Sequence, residues 1–270
     1  MTGRNLHGTD FETVFGEILD EGDEVFVIDP TATAIEALTA VAADRETPAV
    51  RLLAEEAVLK EVMDDFLVAS HTADLVAAGT LSVNTGTDAS ANALVVSEGT
   101  VRALVAADGR VAALGTDDEA FVDAVRDTCE RRWESSTAFD LRTPPLSRVR
   151  ETLAEDIGAA VREDFDAVLD ALTNTTGEGT GLDEVTLTLL VAARNDVLLY
   201  DISKWGEDVG IASKATFSRT KTKLEDEGLI KTEKVPIDVG RPRLRLKLDE
   251  DRFGEGDPDE LAAVATTLVD

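Results

Sequence analysis

The sequence predicts an α/β N-terminal domain with a small mixed sheet, joined by a long helix to a C-terminal α+β domain of short helices and a hairpin. Three observations carry that prediction. Strand-like and helix-like runs alternate from residue 24 to residue 83 and then give way to three closely spaced strand-like runs. Pro144-Pro145 is followed by an apolar stripe at helical spacing. Finally, the basic stretch of a very acidic chain coincides with a Ser-capped helix and two further strand-like runs.

Taken in order, residues 9–21 place Phe11, Val14, Phe15, Ile18 and Leu19 three and four apart, an amphipathic helix. The run Val25-Phe26-Val27-Ile28 is a short strand closed by Asp29-Pro30, and the Ala-rich stretch from Thr31 to Ala43 is a helix. Ala49–Leu53 is a second strand, Glu55–Val76 holds one or two helices, and Leu81-Ser82-Val83 is a third strand. That alternation indicates a small parallel-type layer. Ala93–Glu98, Val101–Ala106 and Arg110–Leu114, with turns at Gly99 and Asp108-Gly109, then read as an antiparallel meander. Thr116–Glu119 opens a helix on which Phe121, Val125, Cys129 and Trp133 recur every fourth residue.

Beyond the double proline, Val149, Leu153, Ile157, Val161, Phe165, Val168 and Leu172 keep helical spacing. They predict one continuous helix of about 26 residues, roughly 40 Å long. Its stripe serves either its own domain's core or, given the near-heptad register, a dimer interface. The small residues 173–181 read as a linker. The expected divisions are therefore 1–143, 144–181, 182–250, and an acidic C-terminal helix over 251–270.

The chain has 270 residues, with 26 Lys+Arg against 55 Asp+Glu, for a formal net charge of −29. Its apolar fraction of 43% is ordinary for a globular protein and argues against disorder. Acid excess on this scale repels phosphate unless the charge is segregated. It is segregated. Residues 200–248 hold eleven Lys+Arg and eight Asp+Glu, and seven of the chain's eight lysines lie in that window. The acid-rich, lysine-poor remainder resembles proteins of extreme halophiles. Cys129 is the lone cysteine, and His7 and His71 are far apart in sequence, so neither a disulfide nor a zinc cage is expected. No run reaches the length of a membrane span and no signal-peptide core opens the chain, so a cytoplasmic protein without cofactors is expected.

Within the basic window, Ile202–Val209 is a short helix ended by Gly210. Ser213 caps Lys214–Glu227, and Gly228 stops that helix. Lys231–Val235 and Arg243–Leu248, joined by 236–242, form a hairpin. Short helix, glycine turn, capped longer helix and hairpin is winged helix-turn-helix grammar. Ser213-Lys214-Ala215-Thr216-Phe217-Ser218-Arg219, followed by Leu224-Glu225-Asp226-Glu227-Gly228-Leu229-Ile230, resembles the recognition-helix signature of winged helix-turn-helix transcription regulators. The whole chain is similar to the haloarchaeal TbsP transcription regulators. Its first domain is similar, more loosely, to the effector domain of TrmB-like regulators, which is related to phospholipase D.

At 100° per residue, with Phe217 and Leu224 facing the core, Ala215, Ser218, Arg219 and Thr222 point away from it, flanked by Lys214, Thr216 and Lys223. Arg219 can grip guanine bidentately, Ser218 and Thr222 can donate or accept, and Ala215 can meet a thymine methyl. Lys234, Arg241 and Arg243 suit phosphate or minor-groove contact. Lys221 is counted with the DNA contacts, yet many relatives carry an apolar residue there. Its stem must snorkel past the core, or the helix is slightly rotated.

Enzyme readings fail on the residues present. Phospholipase D chemistry needs His-x-Lys pairs, whereas His71 precedes Thr72-Ala73 and His7 precedes Gly8-Thr9. Thr31 and Thr33 at a helix start, and Asn84-Thr85 after a strand, either bind an anionic metabolite or are ordinary caps and turns. The expected protein is a sequence-specific regulator of a halophilic archaeon, a homodimer on promoter DNA with a small-metabolite effector. The competing expectation is a transcription-associated scaffold whose winged helix binds protein.

Overall fold

The computed structural model describes residues 5–20, 24–86, 92–176, 183–236, 242–253 and 257–267. The chain forms two compact units, one of residues 1–64 with 68–141, the other of 65–67 with 142–270.

In the first unit, β1 (Leu6–Gly8), α1 (Phe11–Leu19), β2 (Val25–Ile28), α2 (Ala32–Asp44), β3 (Val50–Ala54), α3 (Glu56–Met63), α4 (Phe66–Ala77) and β4 (Leu81–Thr85) are followed by β5 (Leu94–Val96), β6 (Val101–Ala107), β7 (Arg110–Thr116), α5 (Glu119–Glu134) and β8 (Thr137–Ala138). Asp10 caps α1 by accepting from the Thr13 amide at 2.8 Å, and Asp118 caps α5 by accepting from Phe121 N–H at 2.9 Å. Only β2–β3 and β3–β4 are parallel pairs. The sheet is mixed, as expected, but not small: the parallel layer and the meander form one sheet of eight strands among the described residues, in the order β1-β7-β6-β5-β2-β3-β4-β8. They merge because β5 pairs antiparallel with β2, placing Phe26 opposite Val96.

Alternate residues of the central strands face opposite layers, as a period of two requires. Val25, Val27, Leu52 and Val95 pack with Phe15, Ile18, Leu38 and Leu59 from the helices on one face. Phe26, Ile28, Leu53 and Val96 meet Val122 and Cys129 of α5 on the other. The α5 stripe differs from the expected one by its first member: Phe121 is 53% exposed, and Val122 takes its place. Burial among apolar neighbours pushes the Cys129 thiol up, away from the thiolate.

The second unit begins with α6 (Leu146–Thr152), a π-helical turn over Leu153–Ile157, and α7 (Ala159–Thr176). The expected continuous helix is therefore broken. Gly158 has φ +147, a value L side chains rarely adopt, and its N–H reaches Leu153 O five residues back at 2.9 Å. Val149, Leu153, Val161, Phe165, Val168 and Leu172 are all buried in this unit's own core, with Ile157 packed at its margin. The stripe is thus a core element, not a free surface for a dimer. The residues read as a linker divide: Thr173–Thr176 continue α7, and 177–182 lie outside the described residues. Val161→Glu, on a side chain 4% exposed, is expected to lower the unfolding midpoint of this unit, at a cost above about 3 kcal/mol. A thermal melt at high salt checks this. An unshifted melt with halved mass by light scattering would return the stripe to an interface.

The unit continues with α8 (Glu184–Arg194), α9 (Leu199–Val209), α10 (Lys214–Asp226), β9 (Ile230–Val235), β10 (Arg243–Leu248), α11 (Glu250–Phe253) and α12 (Pro258–Thr267). The acidic C-terminal segment is thus two helices, and α12 buries Leu261, Ala262 and Ala265 in the core that holds α7 and α8. Among the described residues no helix is long and apolar enough to cross a membrane.

Candidate nucleic-acid interface

The interface is built on α9, α10 and the β9–β10 hairpin. Ile202, Trp205 and Val209 fasten α9 to the core, and Trp205 Nε1 donates to Thr152 Oγ1 at 3.0 Å. Gly210 ends α9 in the left-handed region at φ +100. Ser213 Oγ then accepts from Thr216 N–H at 3.2 Å and starts α10, which Phe217 and Leu224, both fully buried, anchor. Gly228, at φ +67, turns the chain into β9, while Leu229 N–H bonds back to Leu224 O at 2.9 Å. The hairpin register pairs Arg243 with Val235 and Leu248 with Ile230. The apolar link before α9 does more than connect, since Leu246 N–H donates to Val197 O at 2.9 Å and ties β10 to it.

Ala215, Ser218, Arg219, Thr222 and Lys223 are brought together on the exposed face of α10, with Lys214 exposed at its start and Thr216 half-buried beside them. Thr222 Oγ1 donates to Ser218 O at 3.0 Å, so its hydroxyl is left as an acceptor outward. Arg219 makes one weak contact, Nη2 to Thr216 Oγ1 at 3.4 Å. Among the described residues it has no carboxylate within ion-pair distance, which leaves its fork available. Lys234 is exposed on β9. Arg241 lies outside the described residues.

Lys221 does not join that face. Its side chain is only 12% exposed and its Nζ lies 2.6 Å from Glu225 Oε2, while Glu225 Oε1 accepts from Thr232 Oγ1 of β9 at 2.6 Å. Burial raises the Glu225 pKa, but the Lys221 and Thr232 hydrogen bonds outweigh it and the net shift is downward. Glu225 therefore ties α10 to the wing, and Lys221 is spent on holding that carboxylate within α10.

Beside α10 lies a groove of about 370 Å³ that the sequence did not reveal, lined by Tyr200, Ser203, Lys214, Ser218, Pro242 and Arg243, with Leu199 and Leu244. The Arg243 guanidinium sits 4.4 Å from the Tyr200 ring centroid, and its Nη1 lies 3.2 Å from Asp201 Oδ1. Lys214 Nζ is 2.6 Å from Glu207 Oε2. That hydrogen bond holds the Glu207 carboxyl below, and the Lys214 ammonium above, its ordinary range. One signal did point here: Tyr200 is the chain's single tyrosine, among only 4% aromatic residues, and it opens the basic window.

The other candidates lie at the carboxyl ends of the parallel strands. Thr31 caps α2, accepting from Ala34 N–H at 3.3 Å, and Thr33 is exposed one residue into the helix. Asn84 Nδ2 donates to Ser136 Oγ at 2.7 Å, and Thr85 pairs with Thr137 of β8. Both pairs end on the same edge of the sheet with β3 between them. Among the described residues no group of three or more His, Cys, Asp or Glu could hold a metal.

A capped recognition helix, a glycine turn and a basic hairpin, preceded by an α/β unit, define a winged helix-turn-helix protein of the regulator class. The family model "Transcriptional regulator TbsP-like, N-terminal" matches residues 3–144, and "Transcriptional regulator TbsP-like, C-terminal HTH domain" matches 145–266. The chain belongs to the family of TbsP-like transcriptional regulators. No match is found among curated proteins. Among solved structures the chain is similar to TrmBL2, described as an archaeal chromatin protein with a novel mode of DNA binding. That match has 16% identity and a TM-score of 0.37, and covers 52% of this chain and 54% of TrmBL2. It thus spans about half of that relative. Nuc from Salmonella typhimurium, a phospholipase D family member, matches at 12% identity and TM-score 0.34, over 50% of this chain and 97% of its own. NucT from Helicobacter pylori matches at 13% and 0.33, over 50% and 99%.

Proposed function

We propose that the chain is a sequence-specific, non-enzymatic DNA-binding regulator of transcription in a halophilic archaeon. It works in the cytoplasm, and its first unit serves as a TrmB-like effector domain. The observation that carries the reading is the exposed α10 face, where Ser218, Thr222 and an Arg219 without a carboxylate partner among the described residues stand where a recognition helix meets base edges. The acid-rich composition, with seven of the eight lysines in the winged helix, supports the halophilic origin. The absence of any His-x-Lys pair in the sequence supports the non-enzymatic reading. Thr31, Thr33, Asn84 and Thr85, gathered at the carboxyl edge of the parallel strands, are where a small anionic metabolite would act. A homodimer follows from recognition logic, since one helix reads few base pairs and two half-sites give an operator. Its surface is not the buried Val149–Leu172 stripe.

Mapping bound sites genome-wide in the native host tests the function. Sharp peaks at promoters support the regulator. Diffuse or absent signal overturns it in favour of a protein-binding scaffold.

A further inference from the structure

The cations around the recognition helix are largely spent on the protein's own carboxylates. Lys204 lies 3.5 Å from Asp208, Lys214 2.6 Å from Glu207, Lys231 3.0 Å from Asp249, Lys247 3.3 Å from Asp196 and Arg243 3.2 Å from Asp201. Two of these pairs flank one groove. Lys214 and Arg243 line it from α10 and β10, with Ser218 beside them, while the buried Ser203 closes the wall with its hydroxyl donated to Tyr200 O at 3.2 Å. The groove thus offers two cations and the Ser218 hydroxyl, donors that suit a phosphodiester, but with its charge already answered.

We infer that Glu207 and Asp201 hold, in the free protein, the places that DNA backbone phosphates take in the complex. Binding then exchanges carboxylate for phosphate at Lys214 and Arg243. The inference rests on the DNA-binding reading above. The two pairs differ from the fixed pair nearby in the way such an exchange requires. Lys214 and Glu207 are each 45% exposed, and Arg243 and Asp201 38% and 43%. Exposed pairs of this kind are weak and readily re-partnered. The Lys221–Glu225 pair is more deeply buried, and Thr232 holds its carboxylate, so it stays closed. Arg243 keeps a platform when Asp201 leaves, because the Tyr200 ring beneath it holds the guanidinium over the groove.

The exchange has an ionic consequence. Each phosphate that a cation neutralises releases about 0.9 of a condensed counterion. Each carboxylate that loses its internal partner takes a cation back up, so net release shrinks and binding tolerates concentrated salt. The two carboxylates are then the parts that make DNA binding shallow in its salt dependence, at a cost in affinity at low salt.

The test is a set of anisotropy titrations of the full chain on a duplex of host promoter DNA, from about 0.2 to 2 M KCl. Wild type is compared with the double variant Asp201→Asn with Glu207→Gln. A second double variant, Glu12→Gln with Glu17→Gln on exposed positions of α1, makes the same change in net charge elsewhere. The D201N/E207Q protein is expected to bind about tenfold tighter at the lowest salt, with a log K against log[KCl] slope steeper by about one to two, so that its line meets wild type within the range. The α1 variant should run parallel to wild type. A D201N/E207Q line parallel to wild type, whatever its offset, or weaker binding by that variant, overturns the exchange while leaving DNA binding intact. Binding by none of the three proteins overturns the DNA-binding reading and the exchange with it.

Discussion

Phe217→Ala is expected to destabilise the winged-helix unit by about 3–5 kcal/mol, and Gly206→Ala by about 1–3 kcal/mol, although alanine is ordinarily the better helix former. Phe217 is fully buried where α10 crosses α9, and a Cβ added at Gly206 would stand 2.4 Å from two carbons of its ring. No real Cβ contact is that short, so the ring must move. The roughly 1 kcal/mol that alanine gains over glycine in a helix interior is the smaller effect. The pair must also be strongly coupled. In the double variant the methyl added at position 206 enters space that the missing ring vacates, so its loss should be no greater than that of Phe217→Ala alone, an interaction of about 1–3 kcal/mol. Urea unfolding of the full chain, followed by the fluorescence transition that reports Trp205, checks all three variants. Additive losses would mean that the ring and Gly206 do not share the contact.

Arg219→Ala is expected to cost about 1–3 kcal/mol on the cognate duplex, roughly five- to 150-fold in Kd, and much less on random DNA. The side chain is exposed, and its contact among the described residues is a 3.4 Å hydrogen bond to Thr216, so the fold loses little when it is removed. What disappears is the guanidinium fork on that face, whose planar geometry matches guanine O6 and N7. Competition titrations with specific and random duplexes separate the possibilities. Equal losses on both would reassign Arg219 to a backbone phosphate.

The winged helix was legible because its signals are local and chemical. Ser213 as a cap, Gly210 and Gly228 as stops, and the alternation in Arg243–Leu248 each act within a few residues. The sheet was less legible because its closure is not local. β5 has only three residues, and it joins the meander to the parallel strands by pairing with β2, some seventy residues earlier in the chain. Nothing in Leu94-Val95-Val96 specifies that partner. β8 is two exposed residues, below any periodicity. The break at Gly158 hid for a different reason. The π turn supplies an extra residue at the junction, so the spacing of Leu153, Ile157 and Val161 reads as unbroken although α6 and α7 are separate helices. On the candidate interface, helix geometry placed Ser218, Arg219 and Thr222 outward. It could not reveal that Lys221 turns to Glu225, or that Asp201 and Glu207 reach the two cations of the groove, because those pairings depend on side-chain reach between elements.

The central claim, that the α10 face meets DNA, is tested most directly by photo-crosslinking. A benzophenone side chain replaces Ser218 in the full chain, with the buried Leu190 position as the control. The account predicts cross-links from position 218 to bases within a bound promoter duplex, displaced by unlabelled promoter DNA, and none from position 190. Cross-links from 218 to a protein of the host extract, with no adduct on DNA at any salt, would contradict it.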